Sequence, residues 1–187
     1  MSSIIGACRL ASARRHITAG KLVAYPTEAV YGLGCDPLDG AAVRRLRRLK
    51  GRPDGRGLIL VADRIATLLP YLAATPGQIE RATADWPGPV TWVLPCRRDV
   101  PVWLTGGRRT LAVRVTAHPV AARLSAAFGD ALVSTSANRR GAPPARTAPA
   151  ARRRLGSALQ AVVPGATGGR ARPTTIRDGR SGRLLRR

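Results

Sequence analysis

"GAAVRRLRRLKGRPDGRGLILVA", residues 40–62, carries a helix, a turn and a strand in one stretch. Val43 and Leu46 recur at helical spacing, and Leu49 or Lys50 continues their side; Arg44, Arg45, Arg47 and Arg48 fill the others. "GRPDGRG" is turn chemistry. "GLILVA" is a short apolar run bounded by turn signals, which predicts a buried strand. The alternation continues outward. Upstream, Ile5, Leu10, Ala13 and Ile17 predict a helix over 4–19, and "KLVAYP" (21–26) a strand stopped by Pro26. Downstream, helices are predicted from 63 until Pro70 limits it, over 76–86, and over 118–129, where Pro119 opens the first turn and Gly129 follows the end. Strands are predicted at 90–95, 110–115, 131–137, 161–163, 174–178 and 182–187. Residues 27–37 read as a loop or a single helical turn, with Thr27 as its cap and Glu28 favouring its N-terminal end. Residues 139–154, "RRGAPPARTAPAARRR", read as a mobile basic loop. Strands alternating with helices predict an α/β layered domain spanning 1–187.

Composition narrows the class. The 187 residues include 30 Arg but only two Lys, Lys21 and Lys50, against 10 acids, for a net charge of +22. Such a surface attracts polyanions, and its binding to them weakens with salt. A GC-rich genome explains Arg in place of Lys, but explains the scarcity of acids less well. Three separated cysteines, Cys8, Cys35 and Cys96, form no CxxC pair and no even disulfide set, which suits a reducing cytoplasm. No apolar run is long enough for a membrane span, and the N-terminus has no signal-peptide pattern. Two histidines make a His/Cys metal site a poor fit, so no metal ligands are assigned. P-loop, Rossmann and GxSxG patterns are absent, as are paired carboxylates.

Two short motifs remain. Lys50, Arg52 and Arg56 surround one Gly/Pro turn. A cation at a helix C-terminus is ordinary, being favoured by the helix dipole. Three cations leaving one turn can also close on a polyphosphate, Lys as a compact charge and Arg as a fork. "LVSTSANRRG" places Ser134, Ser136 and Asn138, the only asparagine, at intervals of two along a strand end. Their polar groups either satisfy nearby backbone or face a ligand beyond the strand's carboxyl end. Gly32 and Gly34 permit close approach of a ligand or a tight turn. Trp86 and Trp92 read as core packing before base stacking.

Together these stretches resemble the YrdC/TsaC family of threonylcarbamoyl-AMP synthases. The matching pieces run in order: "YPTEAVYGLGCDP", "LKGRPDGRGLILVA", "WPGPVTWVLP", "LAVRVTAHP", "LVSTSANRRGAPP", "VVPGATGGRARPTTIRD" and "GRLLRR". The family's KxR and SxN pairs stand here as Lys50 and Arg52, and Ser136 and Asn138. The resemblance implies a single-domain twisted mixed sheet with flanking helices and a basic concave face. It implies condensation of L-threonine, bicarbonate or CO2 and ATP, with Mg2+, to L-threonylcarbamoyl-adenylate and pyrophosphate. Transfer proteins would then pass the group to tRNA, at the adenosine beside the anticodon. Lys50, Arg52, Ser136 and Asn138 would be catalytic, and Arg52, Arg56, Thr110, Ser136, Pro144 and Arg186 would bind nucleotide. Thr27, Tyr31, Arg114, Ser134 and Thr174 would bind threonine. Ala29 and Thr174-Thr175 depart from the common PTET and Ser-Thr patterns. A short form, without the C-terminal domain of some relatives, is expected. The alternative is a non-catalytic module for tRNA or double-stranded RNA, or for ribosome maturation.

Overall fold

The computed structural model describes residues 2–172 and 174–186, with side chains from residue 7 onward. Ile5 and Arg187, assigned above to the first helix and the last strand, lie outside the described side chains. Helix α1 (Ser2–Thr18) buries Ala13 and Ile17, four apart on one face. Strands β1 (Val23–Pro26) and β2 (Tyr31–Gly34) then form an antiparallel hairpin. This corrects the loop or helical turn expected for 27–37. Tyr31 and Leu33 alternate into the core at 0% exposure, a strand pattern that "YGLG" is too short to announce. Gly34 of β2 serves packing, and Gly32 lines the cavity described below. A Cβ on Gly34 would lie 2.5 Å from the Val133 carbonyl and 2.9 Å from the Tyr25 ring. Gly34→Ala is therefore expected to cost about 1–3 kcal/mol of stability by overpacking, read as a lower urea midpoint.

Asp39 caps helix α2 (Gly40–Lys50), its carboxylate accepting from the Ala41 and Ala42 N–H groups. The helix stops at Gly51, which takes a left-handed φ of 55°, and β3 (Ile59–Ala62) follows the turn. The expected helix from 63 reduces to one turn, α3 (Ile65–Leu68), running into a 3-10 turn at Pro70. Then come α4 (Pro76–Thr83), β4 (Val90–Pro95), α5 (Val102–Thr105) and β5 (Thr110–Val115). Next are α6 (Pro119–Phe128), β6 (Leu132–Ser136), α7 (Ala148–Leu155), β7 (Ala161–Val162), β8 (Thr175–Asp178) and β9 (Leu184–Arg186). Residues 139–147 form neither helix nor strand, and helix α7 corrects the second half of the loop expected over 139–154. Thr147 caps it, and Ala151 and Leu155 bury one face while the run Arg152–Arg154 masks that pattern in the sequence. Trp86 and Trp92 are core residues, with their indole N–H groups donating to Val90 and Asp85.

The strands join one nine-stranded mixed sheet in the order β7-β1-β2-β6-β3-β5-β4-β8-β9. Pairs β1/β7, β3/β5 and β4/β8 are parallel and the others antiparallel. Leu60, Val113 and Val133 join the larger core on one face, which also takes in Val43 and Leu46 of α2. On the other face α1 and α6 cover Tyr25 and Leu132. They leave the neighbouring row Ser134, Ile59, Ala112 and Val93 facing a cavity.

Candidate active site

That row floors a cavity of about 510 Å³ on the face of the sheet. The cavity therefore crosses strands β2, β6, β3, β5, β4 and β8, takes in Arg186 of β9, and reaches Ser136 at the end of β6. Period-two alternation points Ser134 and Ser136 of β6 the same way, toward the cavity.

Lys50 ends α2, and its side chain spans to the end of β6. Its Nζ donates to the Ser136 carbonyl and Asn138 Oδ1, both at 2.7 Å, and reaches Ser136 Oγ at 3.3 Å. Ser136 Oγ donates to the same Asn138 oxygen at 2.6 Å. Two motifs 86 residues apart in sequence thus form one cluster. Arg52 follows in the turn, its guanidinium donating to the Gly57 carbonyl. Lys50, Arg52 and Ser136 line the cavity beside Pro144 and Arg186. Thr27, Arg114, Ser134 and Thr174 line it as well.

Four candidates sit elsewhere. Asn138 is behind the lining, where it orients Lys50 and Ser136. Tyr31 is fully buried and donates its hydroxyl to the Gly165 carbonyl at 2.6 Å, so it braces the segment near the cavity without lining it. Arg56 is exposed, and Thr110 is half-buried at the start of β5. Neither lines the cavity. Thr27 caps no helix; its hydroxyl donates to the Val30 carbonyl and closes the β1–β2 turn.

A second concavity, of about 480 Å³, runs past Tyr71 and Asp130 and holds none of the candidates. Among the described residues no group of His, Cys, Asp and Glu could hold a metal ion. No described helix is long and apolar enough to cross a membrane.

A family model described as "Telomere recombination" matches residues 15–187. The chain belongs to the Sua5/YciO/YrdC family. Over 180 residues it is 57% identical to the threonylcarbamoyl-AMP synthase of Halorhodospira halophila, covering 96% of this chain and 94% of that protein. The enzyme of the same name from Alkalilimnicola ehrlichii is 54% identical, with 95% of each chain covered. The crystal structure of P. abyssi Sua5 complexed with L-threonine superposes with a TM-score of 0.85 at 35% identity. That match covers 90% of this chain, which spans half the length of Sua5. The α/β mixed sheet is the fold of this family.

Two buried charged residues that support the cavity lining of this Sua5/YciO/YrdC chain are not legible in the sequence. Arg47, placed with the solvent-facing arginines, is 3% exposed and donates to three carbonyls around the Arg52 turn. Glu28, read as an acid at a helix start, is buried against Arg114, 3.3 Å away. One of only ten acids, set next to Thr27, was the available signal.

Proposed function

We propose that this chain, as one catalytic domain over 1–187, is a threonylcarbamoyl-AMP synthase. The cavity lined by Lys50, Ser136 and Arg52, with Asn138 behind them, is lined also by Arg114 and Ser134, and this arrangement carries the reading. The chain's similarity to enzymes of that name supports it. The threonine amine adds to CO2 and loses a proton, giving a carbamate; when bicarbonate is the source, its hydroxyl leaves with an amine proton as water. A carbamate oxygen then attacks the ATP α-phosphorus, the bond from that phosphorus to the β-phosphate oxygen breaks, and pyrophosphate leaves. Charge accumulates on phosphate oxygens, so fixed cations and positioning supply most of the acceleration. Lys50, Arg52 and Arg186 face the phosphates, Ser136 and Pro144 complete the nucleotide end, and Asn138 holds the Lys50 ammonium in place. Arg114, Ser134, Thr27 and Thr174 receive threonine. Arg56 and Thr110 bind nucleotide only where it extends past the cavity rim, and Tyr31 acts through the Gly165 segment. Among the described residues no carboxylate lines the cavity, so Mg2+ enters on the triphosphate.

The product is consumed by transfer proteins that modify tRNA, in the cytoplasm. The net charge of +22 favours direct contact with tRNA or double-stranded RNA. It equally suits the rival reading, a non-catalytic RNA-binding module. The deciding experiment is pyrophosphate release from MgATP, omitting threonine and bicarbonate in turn. Release requiring both supports the synthase. A folded protein that binds RNA and releases none leaves the RNA module.

A pH effect follows from the cluster. Burial, then the nearby Arg52 charge, lowers the Lys50 pKa from 10.5 to about 8. Below pH 8 the free protein keeps the ammonium; through pH 8 to 10.5 the folded chain loses the proton while the unfolded chain retains it. The charged form costs folding stability, and that cost is relieved over this window as pH rises. A bound polyphosphate favours the ammonium. ATP affinity is therefore expected to fall above pH 8, and binding near pH 8.5 to take up a proton. Calorimetry in buffers of different ionisation enthalpy reads the uptake, and its absence in Lys50→Met assigns it.

A further inference from the structure

The cations lining the cavity are not compensated alike. Lys50 meets only uncharged oxygens, those of Ser136 and Asn138. Arg52 donates to the Gly57 carbonyl and Arg186 to the Thr174 carbonyl. None of these three has an ion-pair partner among the described residues. Arg114 does: its Nη2 lies 3.3 Å from Glu28 Oε2, and both side chains are at least nine-tenths buried. Glu28 itself does not line the cavity. Its Oε1 accepts from the Thr116 hydroxyl at 2.6 Å and the Ala117 N–H at 3.2 Å. The end of β5 thus fixes this carboxylate independently of the guanidinium. Glu28 Oε2 and Arg114 Nε are buried and have no hydrogen-bond partner.

We propose that Glu28 sorts ligands within the cavity: by neutralising Arg114 it keeps phosphate groups at the Lys50–Arg52 end and leaves the Arg114 end to the zwitterionic amino acid. This rests on reading the Arg114 end as the threonine site. A phosphate group carries more than one negative charge and follows net potential. An Arg–Glu pair still offers N–H donors but little net charge. A zwitterion, neutral overall, needs donors for its carboxylate and no surplus cation against its ammonium. Without the Glu28 charge, Arg114 joins Lys50, Arg52 and Arg186 as a fourth uncompensated cation in the cavity, which extends the setting that captures polyphosphate to the amino-acid end. Glu28 touches no ligand on this account; it is a positioning residue that sets specificity through Arg114.

The test is calorimetric binding of inorganic pyrophosphate and of L-threonine to the full chain, without turnover. In the unmodified protein, pyrophosphate leaves the threonine Kd unchanged. In Glu28→Gln, pyrophosphate binds about tenfold tighter or more, as removal of one nearby negative charge implies, and it displaces threonine competitively. Glu28→Asp keeps the charge, so pyrophosphate does not compete with threonine even if threonine binds less tightly. Weaker threonine binding in both variants, with no pyrophosphate competition in Glu28→Gln, is what a merely structural carboxylate gives, and it overturns the inference alone. Where Glu28→Gln does not fold, pyrophosphate competing with threonine in the unmodified protein or in Glu28→Asp overturns it. No threonine binding by the unmodified protein would overturn the amino-acid reading of that end together with the inference.

Discussion

Lys50→Arg is expected to cut threonine-dependent pyrophosphate release about as severely as Lys50→Ala, by roughly 10²–10³-fold. The usual view of Lys and Arg as interchangeable cations predicts the opposite, in a chain with 30 Arg. The geometry decides. Three oxygens of Ser136 and Asn138 converge on one nitrogen within 3.3 Å. A tetrahedral ammonium with three protons can meet converging acceptors and still carry its charge to the cavity wall. A planar guanidinium presents its donors as a diverging fork and is bulkier. In place of Lys50 it would have to displace Ser136 or push into the space left for phosphate. Asn138 fixes the choice further. Its Oδ1 takes Lys50 and Ser136, while its Nδ2 donates to the Arg139 carbonyl at 3.1 Å, so the amide is tied on both sides. Steady-state pyrophosphate release checks this, with threonine binding as the control that the Arg114 end is intact. A Lys50→Arg variant within a few fold of the parent would show that charge alone suffices.

What the sequence made legible follows from the range of each interaction. The helix–turn–strand unit at 40–62 was readable because periodicity, the Gly51 stop and the apolar run all agree locally. The rarity of Lys and the single Asn138 single out the two motifs, but joining Lys50 and Arg52 to Ser136 and Asn138 rests on the family resemblance. The β1–β2 hairpin was missed because its evidence is tertiary. Gly32 and Gly34 look like turn residues until the Tyr25 ring is laid against them. Helix α7 was missed because Pro and Arg runs hide two buried positions, Ala151 and Leu155. Glu28 was misassigned for a related reason: its partners Arg114 and Thr116 lie more than eighty residues away. No spacing rule links an acid after one strand to an arginine inside another. Residue type pointed to the chemistry, and long-range contact decided which charges are paired.

Arg47 is the strongest case of such a hidden contact, and Arg47→Met is expected to destabilise the fold by about 3 kcal/mol. The substitution would look harmless in "RRLRRLK", where Arg44, Arg45 and Arg48 are exposed. Arg47 instead points inward between α2 and the turn after it. Its Nη1 donates to the Pro53 carbonyl at 2.7 Å, and its Nη2 to the carbonyls of Arg56 at 2.8 Å and Trp103 at 2.7 Å. Its ion pair with Asp54 is long, at 3.9 Å, and Asp54 is 97% exposed, so that contact adds little. The charge-assisted bonds to backbone do the holding. Met fills the volume but leaves three carbonyls without their donor, and unmet buried acceptors cost more than the bonds themselves contribute. Arg44→Met, on the exposed side of the same helix, is expected to stay within about 0.5 kcal/mol. Urea melts of the two variants side by side measure the difference. Function should follow the same path. The Pro53 and Arg56 carbonyls belong to the turn that carries Arg52, whose own guanidinium rests on Gly57 at its far end. Arg47→Lys cannot reach three diverging carbonyls with one ammonium, so the turn loosens while the fold survives. Its pyrophosphate release is expected to fall at saturating ATP while threonine affinity is unchanged. Equal losses in Arg44→Lys would overturn the assignment, because they would trace to the helix surface and not to this clamp.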